Sequence, residues 1–187
     1  IIPTPMPPAR CDYMNVYSNV KGKLLKLGQA KIYNAGELNI SENMSYGKNG
    51  RNDYSVHPLV GPEISGKSAK MFLVRSLEGV SVNVVFNQYR GGSKNNEVKM
   101  TMNVLNNANL DKILFIEDQD SDKYSSKTKP MGNAYSFNFK YFKNTDSFAV
   151  GPIDHEESHI AIHPIQMGDA AEASMFYSAD GNHMKLY

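Results

Sequence analysis

Apolar and polar residues alternate along several segments of the chain with the two-residue period that is typical of β-strands. The clearest segment runs from Val98 to Val104, where apolar residues are separated by Lys99, Thr101 and Asn103. The same alternation begins at Val80 and again at Tyr135. These segments predict three strands, each with one face in a hydrophobic core.

A short apolar run and the residues between the strands extend this pattern. Ile113 to Ile116 contains only apolar residues, which predicts a strand buried on both faces. Turn-forming residues separate the strands, as at Gly91-Gly92, Asn106-Asn107 and Pro130 to Asn133. Short strands at regular spacing are typical of antiparallel sandwiches and barrels. The sequence therefore predicts an all-β fold, an antiparallel β-sandwich or a jelly-roll-like barrel.

The two ends of the chain depart from the alternation. Residues 1–10 are rich in proline and predict an extended arm, so we expect residues 11–187 to form a single β-sandwich domain. Asp169 to Ala179 is the best helix candidate, because it begins with an Asp cap, is rich in alanine and is followed by Gly181. We therefore expect a short C-terminal helix.

The first third of the chain is less regular. Lys23 to Tyr33 predicts a pair of strands broken at Gly28, and Met71 to Leu77 fits either a strand or a turn of helix. Residues 43–55 are rich in glycine and asparagine, which predicts a long exposed loop.

Composition and charge narrow the function classes. Twenty basic residues against nineteen acidic ones give a net charge of +1 without a basic stripe, so we expect no nucleic-acid partner. Cys11 is the only cysteine, which excludes a disulfide within the chain. No apolar run approaches the roughly 20 residues of a membrane span, and the first residues do not resemble a signal peptide.

Residues Asp154 to Pro164, D-H-E-E-S-H-I-A-I-H-P, contain H-E-x-x-H, the pattern of zinc proteases. On a helix, His155 and His159 lie one turn apart and can share a zinc ion, with Glu156 as the general base. A zinc enzyme needs a third protein ligand, and the candidates are His163, Asp169, Glu172 and His183. One interpretation is therefore a small zinc-dependent metallohydrolase, and another is a non-catalytic metal site.

The same segment also alternates as a strand does, with Ile160 and Ile162 on one face and His159 and His163 on the other. On a strand, His155 and His159 lie about 13 Å apart, which is too far to share one ion. Because the other segments are mostly strands, we expect the two isoleucines to point into the core and the site to hold no zinc.

An acidic run follows the predicted Ile113 to Ile116 strand. Asp118, Asp120 and Asp122 place carboxylates at alternate positions, and these can converge on a calcium ion if the loop curls around it. Lys123 and Lys129 replace the glycine and glutamate of an EF-hand. The alternatives are therefore a calcium site of another kind and a solvated acidic turn.

Tyrosines in polar segments form a second set of candidate ligand-binding residues. Tyrosine faces can stack on sugar rings while neighbouring amides bind hydroxyl groups. The absence of tryptophan weakens the case for sugar binding, because tryptophan offers the larger ring. The candidates are Tyr46, Tyr54, Tyr89 and Tyr124.

These features predict three function classes. The first is a surface-binding β-sandwich module, such as an adhesin, a toxin-like domain or a carbohydrate- or protein-recognition domain. It would act outside the cell or at the cell surface, on a protein or glycan surface, through the loops at 43–55, 87–96 and 117–130. The second is the zinc metallohydrolase, with Glu156 as its catalytic residue. The third is a structural subunit of a coat, tube or fibre, which would form a homo-oligomer. We expect binding rather than catalysis.

Overall fold

A computed structural model describes residues 13–44, 68–87, 97–106, 111–116, 123–140, 145–153, 158–166, 172–177 and 183–185. Within these ranges most residues belong to β-strands, and there is one short helix. The elements are β1 (Tyr13–Val20), β2 (Lys23–Asn34), α1 (Ile40–Met44), β3 (Ser68–Ser76), β4 (Gly79–Asn87), β5 (Glu97–Leu105), β6 (Lys112–Ile116), β7 (Lys123–Lys129), β8 (Gly132–Lys140), β9 (Thr145–Gly151), β10 (His159–Gln166), β11 (Glu172–Tyr177) and β12 (His183–Lys185).

The strands form two sheets. The large sheet has the order β1-β2-β3-β4-β9-β6, and β11 pairs with both β3 and β12. The small sheet has the order β10-β5-β8-β7. Most pairs are antiparallel, but β2 and β11 both run parallel to β3. The predicted all-β sandwich is confirmed, and the sheets do not close into a barrel.

The main hydrophobic core lies between the two sheets. The alternation predicted at Val80, Val98 and Tyr135 is confirmed in β4, β5 and β8, whose apolar side chains meet in this core. Phe137 of the small sheet stacks on Phe148 of the large sheet, with ring centroids 3.8 Å apart. Aromatic contacts of this kind add to the burial of apolar area.

A second hydrophobic cluster covers the outer face of the large sheet. Ile40 and Met44 of α1 are buried there against Phe72 and Val74 of β3. Strand β6 contributes to both clusters, because Ile113 and Ile116 pack in the main core while Leu114 and Phe115 pack in the outer one. The strand has apolar contacts on both faces, but the predicted burial is only partial, because Ile116 is buried while Ile113, Leu114 and Phe115 are half-buried.

The predicted C-terminal helix is wrong. Glu172–Tyr177 is strand β11, and it pairs in parallel with Ser68 to Met71 of β3. Intrinsic helix propensity is a weak preference even in an alanine-rich segment, so tertiary contacts can override it. The open edge of β3 offers hydrogen-bond partners to an extended backbone. The short helix lies instead at Ile40–Met44.

Two further expectations need correction. Lys23 to Tyr33 is not a pair of strands, because β2 is one strand with an irregularity where Val16 faces Gly28 but Tyr17 faces Lys26. The predicted loop at 117–130 is wrong from residue 123 onward, since Lys123–Lys129 is strand β7. Met71 to Leu77 is resolved as part of strand β3 and the turn after it.

A tight turn at Pro130 and Met131 joins β7 to β8, as the turn-forming residues predicted. Gly132 follows it with a φ of +145°, and a Cβ at this position would overlap the carbonyl oxygen of Val104. Glycine is therefore required where β8 begins to pair with β5. The proline-rich residues 1–10 lie outside the described residues.

Candidate functional site

The most exposed apolar part of the described chain is the hairpin of β1 and β2. Its two-residue turn consists of Lys21 and Gly22, with φ values of +50° and +81°, which fits the primed turns of tight hairpins. The Asn19 side chain supports the turn by accepting a hydrogen bond from the Gly22 backbone at 3.0 Å. We call residues 17–27 the hairpin tip.

The base of the hairpin belongs to the main core, but the hairpin tip does not. Val16, Ala30 and Ile32 are buried between the sheets. Beyond Val16 no other described strand or helix covers the apolar side chains of the hairpin. Leu24 is therefore 68% exposed and Leu25 is 54% exposed. Tyr17, Val20 and Leu27 are also exposed. Exposed apolar side chains clustered in this way are typical of interaction sites.

The strand register distributes these side chains over both faces of the tip. Leu24 faces Asn19 across the ladder, and Leu25 faces Ser18. Because neighbouring residues on a strand point to opposite faces, Leu24 and Leu25 lie on opposite sides of the ribbon. Both faces of the hairpin tip therefore present leucine to the surroundings.

The hairpin is also strongly cationic. Tyr13–Asn34 contains four lysines and no acidic residue, although the whole chain has a net charge of only +1. Lys21, Lys23 and Lys26 lie in the tip, and Lys31 lies near its base with Nζ 5.5 Å from the Tyr33 ring centroid. The sequence showed this lysine group, but its significance depends on the exposure of the leucines between the lysines. The run V-K-G-K-L-L-K-L at residues 20–27 was the sequence feature from which this lysine- and leucine-rich surface could have been predicted.

The histidine segment is a strand from His159 onward. Strand β10 pairs with β5, and Ile160 and Ile162 pack against the main core while His159 and His163 are exposed. The predicted strand and its inward isoleucines are confirmed over these residues. His159 and His163 lie about 13 Å apart at the usual rise, so the two cannot share one ion.

The zinc interpretation requires a helix through His159, and the structure has none at that residue. His155 and Glu156 lie outside the described residues, as does Asp169, while Glu172 and His183 lie on β11 and β12. Within the described ranges, no three His, Cys, Asp or Glu residues are grouped closely enough to hold a metal ion. The metallohydrolase stays an untested prediction.

The other predicted sites fall mostly outside the described residues. This is true of the calcium candidates Asp118, Asp120 and Asp122 and of the tyrosines Tyr46, Tyr54 and Tyr89. Tyr124 is exposed on β7 and lines an open depression of about 200 Å³ together with Ser125, Ser136, Phe137 and Asn138. Because the other three tyrosines lie outside the described residues, sugar binding also stays a prediction.

A buried polar cluster that the sequence did not indicate joins the two sheets. The Tyr135 hydroxyl donates a hydrogen bond of 2.6 Å to the Asp111 carboxylate. The Asn133 amide donates to the Asp111 backbone carbonyl at 3.2 Å and to its carboxylate at 3.3 Å. Burial raises the pKa of the Tyr135 phenol well above its usual value, and the hydrogen bond to Asp111 adds to this. A protonated phenol held in this way ties β8 to the segment before β6.

Two buried amide oxygens receive no hydrogen bond within the described structure. Asn83 is fully buried and donates to the Ser81 hydroxyl at 2.9 Å, but its Oδ1 accepts nothing there. Asn138 on β8 has a similarly buried Oδ1.

Comparison of the chain with protein-family models, with curated proteins and with solved structures found no match. The helix that the structure describes is too short to cross a membrane. Within the described residues the hairpin tip combines the largest group of exposed apolar side chains with positive charge, and function is inferred from it.

Proposed function

We propose that the protein is a surface-binding β-sandwich module that docks its hairpin tip onto an anionic lipid surface. The observation that carries the proposal is the combination of exposed Leu24 and Leu25 with three lysines in a segment that has no acidic residue. The proposal keeps the surface-binding class that the sequence predicted. It moves the contacts from the loops to the β1–β2 hairpin.

The lysines supply a long-range attraction. A lysine near an anionic membrane surface contributes about 1 kcal/mol to binding. Lys21, Lys23 and Lys26 lie within six residues of one another, so all three can reach lipid headgroups together. No carboxylate within Tyr13–Asn34 neutralises them. The attraction should therefore weaken as salt screens it.

The leucines supply the short-range attraction. Removing apolar surface from water contributes about 25 cal/mol per Å², and the leucine side chains of the tip are largely in water. Lipid is fluid, so it can contact Leu24 on one face of the ribbon and Leu25 on the other. A flat protein surface would cover only one of these faces.

The composition of the tip also favours lipid over a protein partner. The residues that dominate protein interfaces are Trp, Tyr and Arg, whereas Lys is depleted there and Leu seldom dominates. Segments that lie at a membrane interface combine Lys with Leu or aromatic residues. The tip carries three lysines and three leucines beside one tyrosine, and it has no arginine or tryptophan.

The turn residue gives independent support. Lys21 has a φ of +50°, a left-handed conformation that suits Asn or Gly better than Lys. A lysine in this position costs folding stability that asparagine would not cost. A positive charge at the outermost point of the hairpin is consistent with selection for binding rather than for stability.

Binding to lipid vesicles tests the proposal. We expect the protein to sediment with phosphatidylcholine vesicles that contain about one third phosphatidylserine, and to stay in solution with pure phosphatidylcholine. Replacing the three tip lysines by glutamine should weaken binding about a hundredfold. The matched control replaces Lys127 and Lys129 of β7, which are also exposed, by glutamine.

A second comparison isolates the leucines. Leu24→Ser should weaken vesicle binding about tenfold or more, because the lost burial of one leucine is worth about 1.5–3 kcal/mol. Leu77→Ser is the control, since Leu77 is also 68% exposed but lies in the turn between β3 and β4. Equal effects of both substitutions would show that the tip is not the binding surface. Equal binding to vesicles with and without phosphatidylserine would show the same.

Lys21→Asn separates binding from folding. Asparagine suits the left-handed turn position, so this substitution should raise the free energy of unfolding by about 0.5–1 kcal/mol. It also removes one of the tip charges, so vesicle binding should weaken about fivefold. Urea unfolding and vesicle sedimentation of the same preparation measure the two effects. Unchanged or tighter binding would contradict the proposed role of Lys21.

A further inference from the structure

Most edge strands of the two sheets carry features that prevent pairing with another chain. Natural edges are protected by short strands, by lysine, by proline or by irregular pairing. Strand β12 has three residues, and β6 has five residues with a register shift. Strand β7 contains three lysines, and β10 contains Pro164 next to a register shift.

Strand β1 is an edge strand without such protection. Among the described strands it pairs only with β2, and it has eight residues with no charged residue and no proline. At the register shift between β1 and β2, the extra residue without a partner is Leu27 of β2, so the backbone of β1 itself stays regular. Tyr17 and Val20 on this strand are about half exposed. A long, uncharged edge of this kind is a template for another strand.

We propose that the β1 edge pairs with β1 of a second copy of this chain, in an antiparallel and two-fold symmetric arrangement. An antiparallel pair of identical strands satisfies the backbone groups of both edges at once. The occupant is a strand rather than lipid, because a bilayer interior offers no hydrogen bonds to an open backbone edge.

The sequence of β1 suits pairing with itself. In a register centred on Tyr17, Met14 of one copy lies opposite Val20 of the other, and Asn15 lies opposite Asn19. Opposite residues then belong to the same face of both sandwiches, so the core-facing side of one sheet continues into the other. Because β1 has no charged residue, no like charges face each other along the pair. The two Tyr17 side chains lie opposite each other at the symmetry axis. Tyrosine is enriched at protein interfaces.

The dimer is compatible with the proposed function but does not depend on it. The tip lysines lie in the turn and on β2, one strand away from the pairing edge. In the antiparallel dimer the two hairpin tips point in opposite directions, so one vesicle surface contacts one tip and the dimer adds no multivalency. Either proposal can fail while the other holds.

Sedimentation velocity over a range of concentrations tests the dimer. We expect a reversible monomer–dimer equilibrium in wild type. Tyr17→Lys should weaken association by about fivefold or more, because it places two like charges opposite each other at the axis. Leu77→Lys introduces the same charge at an exposed position away from the edge and should leave association unchanged. Circular dichroism verifies that each variant is folded.

If Tyr17→Lys does not fold, Asn15→Lys takes its place. Asn15 is exposed on β1, and its side chain accepts a hydrogen bond from Gln29 at 3.2 Å. The same reasoning predicts weaker association, since lysine protects natural edges. Hydrogen exchange gives a second readout, because the amides of residues 13–20 should exchange faster when the protein is diluted and those of β8 should not.

Three results would overturn the proposal. The first is a strict monomer at all concentrations up to about 1 mM. The second is association that edge lysines do not weaken. The third is association that Leu24→Ser abolishes, which would place the interface at the leucines of the tip. Vesicle binding distinguishes the two proposals, because Asn15→Lys lies on β1 outside the hairpin tip and should retain it while association is lost.

Discussion

At the scale of single residues, the buried cluster of Asp111, Asn133 and Tyr135 is the main polar tie between the two sheets. Tyr135 is only 3% exposed and Asp111 only 4%. Each would cost free energy if it were buried alone, and the 2.6 Å hydrogen bond between them offsets that cost. The cluster therefore stabilises the sandwich only while the phenol keeps its proton.

We expect Tyr135→Phe to lower the free energy of unfolding by about 1–3 kcal/mol near neutral pH, because the Asp111 carboxylate loses a buried donor. The pKa of Tyr135 is raised above the usual 10.0 in the folded state. As the pH rises above about 10, the unfolded chain releases this proton while the folded chain retains it, so wild-type stability should fall.

Urea unfolding at several pH values measures both effects. The phenylalanine variant lacks this phenol, so its stability should decline less steeply than that of wild type above about pH 10. Tyr17→Phe is the control, because Tyr17 is exposed on β1 and its hydroxyl should matter little to folding. Parallel pH profiles for wild type and Tyr135→Phe would contradict the proposed role of the buried phenol.

At the scale of elements, α1 shows how a five-residue helix is fixed by its ends. The Asn39 side chain accepts a hydrogen bond from the Glu42 backbone at 2.8 Å, and the Glu42 carboxylate accepts one from the Asn39 backbone at 3.1 Å. This reciprocal pair is a capping box. The Glu78 carboxylate, from the turn after β3, accepts a further bond from the Ile40 backbone at 3.1 Å.

Asn39→Ala should lower the free energy of unfolding by about 1 kcal/mol, because removing the cap leaves a backbone donor without a partner. Asn39→Asp keeps an acceptor at the same place and should cost much less. Thermal unfolding of the two variants measures the difference. If aspartate proved as destabilising as alanine, the side-chain acceptor would not be what holds α1.

The N-x-x-E pattern of this cap was present in the sequence, but the helix is too short for its apolar residues to show a period. The opposite error occurred at Glu172–Tyr177, where alanine and an Asp cap predicted a helix and the chain forms β11. Both errors have one cause. Local preference is worth a few tenths of a kcal/mol per residue, so the nearest packing surface decides the conformation of a short segment.

At the scale of the whole molecule, aromatic rings hold the two sheets together. Phe137 and Phe139 of β8 pack against Phe86 of β4 and Phe148 of β9, with the closest centroids 3.8 Å apart. These side chains are at most 2% exposed. They lie far in sequence from one another but together in the main core, so they determine how the sheets stack.

Phe137→Ala should lower the free energy of unfolding by about 3–5 kcal/mol, because it leaves a cavity against Phe148. Phe137→Leu retains most of the volume and should cost clearly less. Chemical denaturation followed by circular dichroism measures both. A cost near that of an exposed substitution, within about 0.5 kcal/mol, would show that the rings do not pack as described.

The sequence by itself determined where several of the strands form and which side of those strands is apolar. A two-residue period is a local property, so β4, β5, β8 and β10 were predictable from their own residues. The all-β class and the turn at Pro130 followed for the same reason. The inward direction of Ile160 and Ile162 was predictable too, since alternation alone assigns opposite faces to neighbours.

Only the tertiary structure decided which strands became neighbours and which apolar residues stayed in water. The parallel pairing of β2 and β11 with β3 joins segments that are distant in sequence. Leu24 and Leu73 both lie on strands of the same sheet, yet Leu24 is 68% exposed and Leu73 is fully buried. Burial depends on whether another layer lies opposite the side chain, and a residue's own neighbours along the chain do not contain that information.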